Sequence, residues 1–88
     1  MKINNEQIEF VVWANKLLQQ PNRFPDGNKV LDIYNEVFAE EIAHKESPYY
    51  RSLSPGCMSC IRFCVFTLKN KLVELGIVDN KGDYIKKN

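Results

Sequence analysis

The apolar residues of the segment NKVLDIYNEVFAEEIAHK, residues 28–45, recur with the period of an α-helix. They lie at i, i+3, i+4, i+7, i+8 and i+12, which places them on one side of a helix and the glutamates on the other side. The stripe consists of Val30, Ile33, Tyr34, Val37, Phe38 and Ile42. Asp26 precedes the segment and is a suitable N-cap residue. The pattern predicts an amphipathic helix over residues 27–44.

Two further segments have helical spacing. The segment NEQIEFVVWANKLLQQ, residues 5–20, has a cap candidate at Asn4 or Asn5 and ends at Pro21, because proline does not continue a helix. Ser54 followed by Pro55 opens the next segment, since a hydroxyl suits the N-cap and proline suits the first helical position. Gly76 is the expected left-handed cap at its end. These signals predict helices over about residues 5–20 and 55–75.

The predicted fold class is therefore all-α, a compact three-helix domain. Residues 77–88 follow as a tail, and two apolar pairs flank Asn80, Lys81 and Gly82 there, so the tail is either extended or a small hairpin. A chain of 88 residues with 44% hydrophobic residues has the size and material for one core. We interpret residues 1–88 as a single domain.

The three cysteines lie within eight residues, as Cys57-x-x-Cys60 followed by Cys64. On the predicted third helix they share a stripe with the apolar residues that follow, so we expect them to pack in the core as small apolar side chains. An odd number of cysteines on one helix is a poor disulfide framework. This arrangement of cysteines favours a reducing, cytoplasmic location.

Two alternatives give the cysteines a chemical role. A zinc-stabilised module needs four ligands, and His44 would complete a Cys3His set with Cys57, Cys60 and Cys64. Cys57 and Cys64 are about 10 Å apart along a regular helix, so this set closes only around an irregular first turn. A redox role is the second alternative, because the helix dipole lowers the pKa of thiols in a first turn. We expect no cofactor.

No group of residues has the spacing of a catalytic site. The chain has one histidine, no recognisable Ser/His/Asp set, and four scattered glycines that form no phosphate-binding loop. We therefore predict that the protein is not an enzyme. The net charge of the chain is only +1, so its overall charge does not support an electrostatic attraction of nucleic acid. It also has no run of 18 apolar residues that would span a membrane.

Large apolar side chains outside the predicted core stripes indicate an interaction surface. They lie on a second face of the first helix, on the outer face of the third, and in the loop between the second and third. Aromatic residues beside arginine are typical of interface centres. The predicted partner-binding residues are Phe10, Trp13, Leu17, Tyr49, Tyr50, Arg51, Arg62, Phe63 and Phe66. We predict binding to another protein or to a second copy; alternatively, these side chains cover the loops and tail of the same chain.

A nucleic-acid-binding protein is the main alternative function. It would use Arg51, Arg62, Lys69 and the tail lysines Lys86 and Lys87. Contacts of this kind to phosphates weaken steeply as the salt concentration rises, whereas protein assembly is less sensitive.

Three short patterns occur in order between Leu31 and Leu75. They are Ile33-Tyr34-Asn35-x-Val37-Phe38, Ser54-x-x-Cys57-x-x-Cys60-Ile61-Arg62, and the stretch from Leu68 to Leu75. On these residues the chain resembles a family of short, mostly uncharacterised proteins encoded by tailed phages and related elements of gut bacteria. The resemblance implies a phage setting, as a virion component or an effector of host machinery, and it implies no activity. Cys64 is not part of the family's pattern.

Overall fold

The computed structural model describes residues 3–85 and contains four α-helices in that part of the chain. Helix α1 spans Asn5–Leu18, α2 spans Gly27–Val37, α3 spans Ala39–Ile42 and α4 spans Met58–Glu74. Between residues 3 and 85 no strand forms, and one isolated antiparallel bridge joins residues 78 and 84. The all-α class is confirmed. The predicted count of three helices is wrong because the second predicted helix is interrupted.

Helix α1 begins at a capping box. The Asn4 side chain accepts a hydrogen bond from the Gln7 backbone N–H at 2.8 Å, and the Gln7 side chain accepts one from the Asn4 N–H at 3.0 Å. This reciprocal pair satisfies donors that the first turn leaves unpaired. The helix ends at Leu18, two residues before the predicted end, because Pro21 disfavours helical backbone at the residue before it.

The second predicted helix is divided at Phe38. Its backbone there leaves the helical region, with φ −104° and ψ 25°, so that Phe38 ends α2 and begins α3. The Phe38 ring is fully buried, lies 5.0 Å from the Tyr34 ring and stacks on Tyr49 at 4.6 Å. Packing of this ring accompanies the interruption, and α3 ends at Ile42 rather than at the predicted residue 44.

Helix α4 begins three residues later than predicted. Ser54 and Pro55 belong to a turn in which the Cys57 N–H donates to the Ser54 carbonyl at 3.2 Å, and Cys57 is the N-cap residue. Its Sγ accepts a hydrogen bond from the Cys60 N–H at 3.2 Å. The Pro55 backbone lies so close to Gly27 that a Cβ on Gly27 would overlap the Pro55 carbonyl oxygen. The turn thus packs on the start of α2 instead of forming the first turn of α4.

The end of α4 follows the prediction. Gly76 has φ +76°, and the N–H groups of Gly76 and Ile77 donate to the carbonyls of Val73 and Leu72. This is the Schellman arrangement, which satisfies the last carbonyls of a helix and favours glycine at the left-handed position.

The core forms around α4, because α1 and α2 both pack mainly against it. The radius of gyration is 12.7 Å, close to about 12 Å for a folded chain of this length. The buried apolar residues are Val11, Val12, Ala14, Val30, Ile33, Tyr34, Val37, Phe38, Ile61, Cys64, Val65, Leu68, Leu72 and Val78. Among them, Val30, Ile33, Tyr34, Val37 and Phe38 belong to the apolar stripe predicted for residues 28–45.

The segment after α4 folds back as a small bridged turn. The Asp79 side chain accepts hydrogen bonds from the N–H groups of Lys81 and Asp83, at 2.9 and 3.1 Å. Two helices hold this turn: Asn15 of α1 donates to the Lys81 carbonyl at 3.1 Å, and Lys69 of α4 donates to the Asn80 carbonyl at 3.2 Å. Of the two predicted forms of the tail, this turn with its single bridge is closer to the small hairpin, although no strand forms within residues 3–85. The last residues of the predicted tail, 86–88, lie outside the described part.

Candidate functional site

The predicted partner-binding residues differ in exposure. Trp13, Tyr50 and Phe66 expose 51%, 47% and 57% of their surface, and both arginines are exposed. The remaining residues are half-buried: Phe10, Leu17, Tyr49 and Phe63. The exposed rings are the ones that a partner can cover without any rearrangement of the fold.

Trp13 lies on the outer side of α1. Its ring centre is 5.6 Å from that of Phe10, and Phe10 in turn lies under the Lys29 ammonium of α2, 4.9 Å from Nζ to the ring centre. Phe10 packs against the core and thus provides a fixed base for the exposed Trp13 ring.

Phe66 lies at the edge of a groove between α1, α4 and the turn of residues 79–83. The groove has a volume of about 550 Å³. Its lining residues are Asn15, Lys16, Gln19, Phe66, Lys69, Asn80, Lys81 and Asp83. Lys69 Nζ lies 4.9 Å from the centre of the Phe66 ring, and Lys16 Nζ lies 3.4 Å from an Asp83 carboxylate oxygen. Three lysines against one aspartate give the groove a net positive charge.

The exposed arginines lie over aromatic rings. The Arg62 guanidinium carbon is 5.1 Å from the centre of the Phe24 ring, and that of Arg51 is 4.3 Å from the centre of the Phe63 ring. Such contacts hold a cation beside an aromatic face. Phe24 was not among the predicted residues, because its loop carries no pattern that places it beside α4.

Tyr49 and Phe63 belong largely to the fold. Tyr49 stacks on Phe38, its carbonyl accepts the hydrogen bond from the Tyr34 hydroxyl, and Phe63 lies 5.9 Å from the Tyr34 ring. Burial is the main reason why the pKa of Tyr34 is raised to about 12. These contacts correspond to the alternative in which the aromatic side chains cover loops of the same chain.

The three cysteines do not form one group. Cys57 and Cys60 are joined in a disulfide with Cα atoms 5.1 Å apart, whereas Cys64 is a free, fully buried thiol. The prediction of three packed thiols without a disulfide is thus wrong for the first two and confirmed for Cys64. Cys57 precedes the first helical turn, and its side chain folds back onto Cys60. Burial raises the pKa of the Cys64 thiol to about 11.

The candidate ligands of the zinc alternative are not brought together. Within residues 3–85, no three or more His, Cys, Asp or Glu side chains form a group that could hold a metal ion. His44 is exposed after α3, Cys64 lies in the core, and the disulfide leaves Cys57 and Cys60 without a thiolate for a metal.

The polar groove beside Phe66 was missed by the sequence interpretation. Asn80, Lys81 and Gly82 indicated a turn, but no local pattern shows that this turn docks on Asn15 of α1. The two segments are 66 positions apart in the sequence, so only the folded core brings them together.

Comparisons with known proteins found no match that bears on the function. No protein-family model, no curated protein and no solved structure matches the chain. None of the helices between residues 3 and 85 combines the length and the apolar character needed to cross a bilayer. The fold defines the class of protein as a small, compact, mostly helical domain.

Proposed function

We propose that the protein is not an enzyme and acts by binding another protein through its exposed aromatic side chains. The observation that carries the proposal is the exposure of two large rings, Trp13 at 51% and Phe66 at 57% of their surface. Burying such rings against a partner removes apolar area from water, which contributes about 25 cal/mol per Å².

The immediate surroundings of both rings support this proposal. Phe66 has Lys69 over its face and lies one helical turn from Arg62, while Trp13 is supported by the partly buried Phe10. Aromatic residues and arginine are enriched at interface centres, and a rigidly held ring loses little conformational entropy when it binds.

The charge of the groove defines the chemistry of the partner. Lys16, Lys69 and Lys81 line it together with a single acid, Asp83. We propose that the partner presents an apolar side chain to Phe66 and carboxylates to the lysines around it, because complementary charge increases association rates and specificity.

The experiment replaces each exposed ring by aspartate. Trp13→Asp and Phe66→Asp each put an unpaired charge into the contact, so each should abolish association while the isolated domain keeps its melting temperature. Sedimentation measures self-association, and pull-down followed by mass spectrometry measures binding of a foreign protein.

Met58→Asp is the matched control. Met58 is on the same helix and is 61% exposed, but it lies about 12 Å along the axis from Phe66 at 1.5 Å per residue. It should leave association unchanged. If Trp13→Asp and Phe66→Asp unfold the monomer, or if association survives them, the interface proposal is wrong.

Salt dependence separates this proposal from the nucleic-acid alternative. Arg51, Arg62 and Lys69 would contact phosphates in that alternative, and Lys86 and Lys87 lie outside the described residues. The apparent affinity for a DNA or RNA oligonucleotide would then fall steeply with salt, whereas the protein contact centred on Phe66 and Trp13 should persist at raised salt.

The setting of this interaction is also a proposal. The resemblance to short phage-encoded proteins favours a virion component or an effector of host machinery, and we propose the cytoplasm as the compartment. In that compartment the Cys57–Cys60 pair would meet the cellular thiol pool.

A further inference from the structure

We propose that Cys57 and Cys60 form a redox-active pair that exchanges with small thiols bearing a carboxylate, of which glutathione is the probe. This proposal is independent of the aromatic interface. It rests on three observations: the two cysteines are paired, their disulfide lies at the start of a 17-residue helix, and a cleft with an exposed arginine opens beside Cys60.

The second of these observations, the position at the start of α4, determines the environment of Cys57. Its Sγ accepts the Cys60 N–H at 3.2 Å and lies 3.3 Å from the Ser59 hydroxyl. After reduction a thiolate on Cys57 therefore has two hydrogen-bond donors and faces the positive end of α4, and both features stabilise the negative charge on sulfur. A stabilised thiolate favours the reduced form and makes Cys57 a good leaving group.

The third observation, the cleft, determines access to Cys60. A cleft with a volume of about 350 Å³ is lined by Cys60 but not by Cys57. Its lining residues are Arg51, Ser52, Leu53, Ser59, Cys60 and Phe63. The Arg51 guanidinium lies over Phe63 at 4.3 Å and is exposed, so it is placed to bind the carboxylate of a thiol that enters the cleft.

The exchange proceeds in two steps. A thiolate attacks Cys60 Sγ, a bond forms between the two sulfurs, the Cys57–Cys60 bond breaks, and its electron pair remains on Cys57 Sγ. A second thiolate then attacks the sulfur of the bound small thiol, which leaves as a small-molecule disulfide and frees Cys60, whose thiolate takes up a proton. The protein pair gains two electrons and two small thiols lose one each.

Cys64 is excluded from this exchange by its position. It is fully buried on the core face of α4, and burial disfavours its thiolate. It therefore provides an internal reference: in the native protein it should remain unmodified whatever the state of the pair.

The first experiment equilibrates the protein with glutathione buffers of different reduced-to-oxidised ratios, traps free thiols with an alkylating reagent and counts adducts by intact mass. We expect no added groups at the oxidised end and two at the reduced end, with a midpoint within the glutathione range. Cys64→Ala should give the same midpoint. If the pair stays closed in reduced glutathione alone, or is open in oxidised glutathione alone, the proposal is wrong.

Single variants test the direction of attack. Cys57→Ser should accumulate a glutathione adduct on Cys60, whereas Cys60→Ser should accumulate much less on Cys57. A reversed preference would overturn the assignment of Cys60 as the attacked sulfur.

Arg51→Gln tests the role of the cleft. It should slow reduction by glutathione several-fold and leave reduction by mercaptoethanol, which has no carboxylate, unchanged. Equal slowing with both thiols, or with neither, would show that Arg51 does not bind the carboxylate.

Discussion

The contact between Gly27 and the Pro55 turn can be tested by adding a single methyl group. In Gly27→Ala the new Cβ would overlap the Pro55 carbonyl oxygen and lie 2.8 and 3.0 Å from the Pro55 carbonyl carbon and Cα. Ordinary carbon–carbon contacts are at about 3.5–4.0 Å. Because the neighbour is backbone and not a flexible side chain, the turn before Cys57 must move by about 1 Å or more to clear the carbonyl oxygen, a change that typically costs about 1–3 kcal/mol.

Gly27 has no positive φ, so alanine suffers no backbone strain there. Alanine is a better helix former than glycine by about 1 kcal/mol at most, which reduces the net loss. We expect Gly27→Ala to lower the free energy of unfolding by about 1–2 kcal/mol, the overpacking range less part of that gain.

Gly56→Ala is the matched control for this measurement. Gly56 directly follows Pro55 in the sequence and has no positive φ, and nothing lies within 4 Å of a Cβ added to it. Alanine there should be neutral or stabilising by up to about 1 kcal/mol, through the unfolded chain. Chemical denaturation followed by circular dichroism measures both variants. If Gly27→Ala is as stable as Gly56→Ala, the Pro55 turn does not pack on α2 as described.

Two further predictions concern the core. Leu68→Ala should lower the free energy of unfolding by about 2–5 kcal/mol, since Leu68 is buried; a loss below about 0.5 kcal/mol, as expected for the exposed Leu75→Ala, would mean that α4 is oriented wrongly. The pKa of Tyr34 is raised from 10.0 to about 12, and that of Cys64 from 9.0 to about 11. Both groups therefore contribute fully to the free energy of unfolding below pH 9, where they are protonated in the folded and the unfolded chain, and this contribution is lost as the pH rises through 11 to 12. Denaturation across this range should show a steeper loss for wild type than for Tyr34→Phe, with Tyr50→Phe as the control; equal slopes for all three would contradict the burial of the Tyr34 hydroxyl.

Local signals were sufficient for most helix positions. Asp26 caps α2 through its side chain, and Gly76 ends α4 in the left-handed conformation. Both features depend on hydrogen bonds within a few residues. They are therefore visible as residue types at defined positions in the sequence.

Tertiary contacts explain the errors in the predicted helices. Phe38 interrupts the second helix where its ring stacks on Tyr49, and Pro55 lies in a turn that packs on Gly27. Each contact joins residues from separate segments, so helical periodicity and cap preferences contained no information about it.

The candidate sites also divide into features that depend on local sequence and features that depend on tertiary contacts. Exposure of Trp13 and Phe66 follows from their positions outside the apolar stripes, and the sequence predicted both. The groove beside Phe66 depends on the docking of residues 79–83, and the cleft beside Cys60 depends on the path of the loop at Arg51. Loop paths are determined by the packed core and cannot be read from local pattern.

The central position of α4 has a consequence for the way the domain opens. Since α1 and α2 pack mainly on α4, either can detach while the other stays in place, but both lose their main packing partner once α4 unfolds. Amide hydrogens of α4 should therefore exchange with solvent last, through global unfolding, and those of α1 or α2 through smaller openings. Folding has a matching order: α2 meets α4 across the loop of residues 43–57, whereas α1 must close a much longer loop, so the α2–α4 unit is the cheaper one to form first.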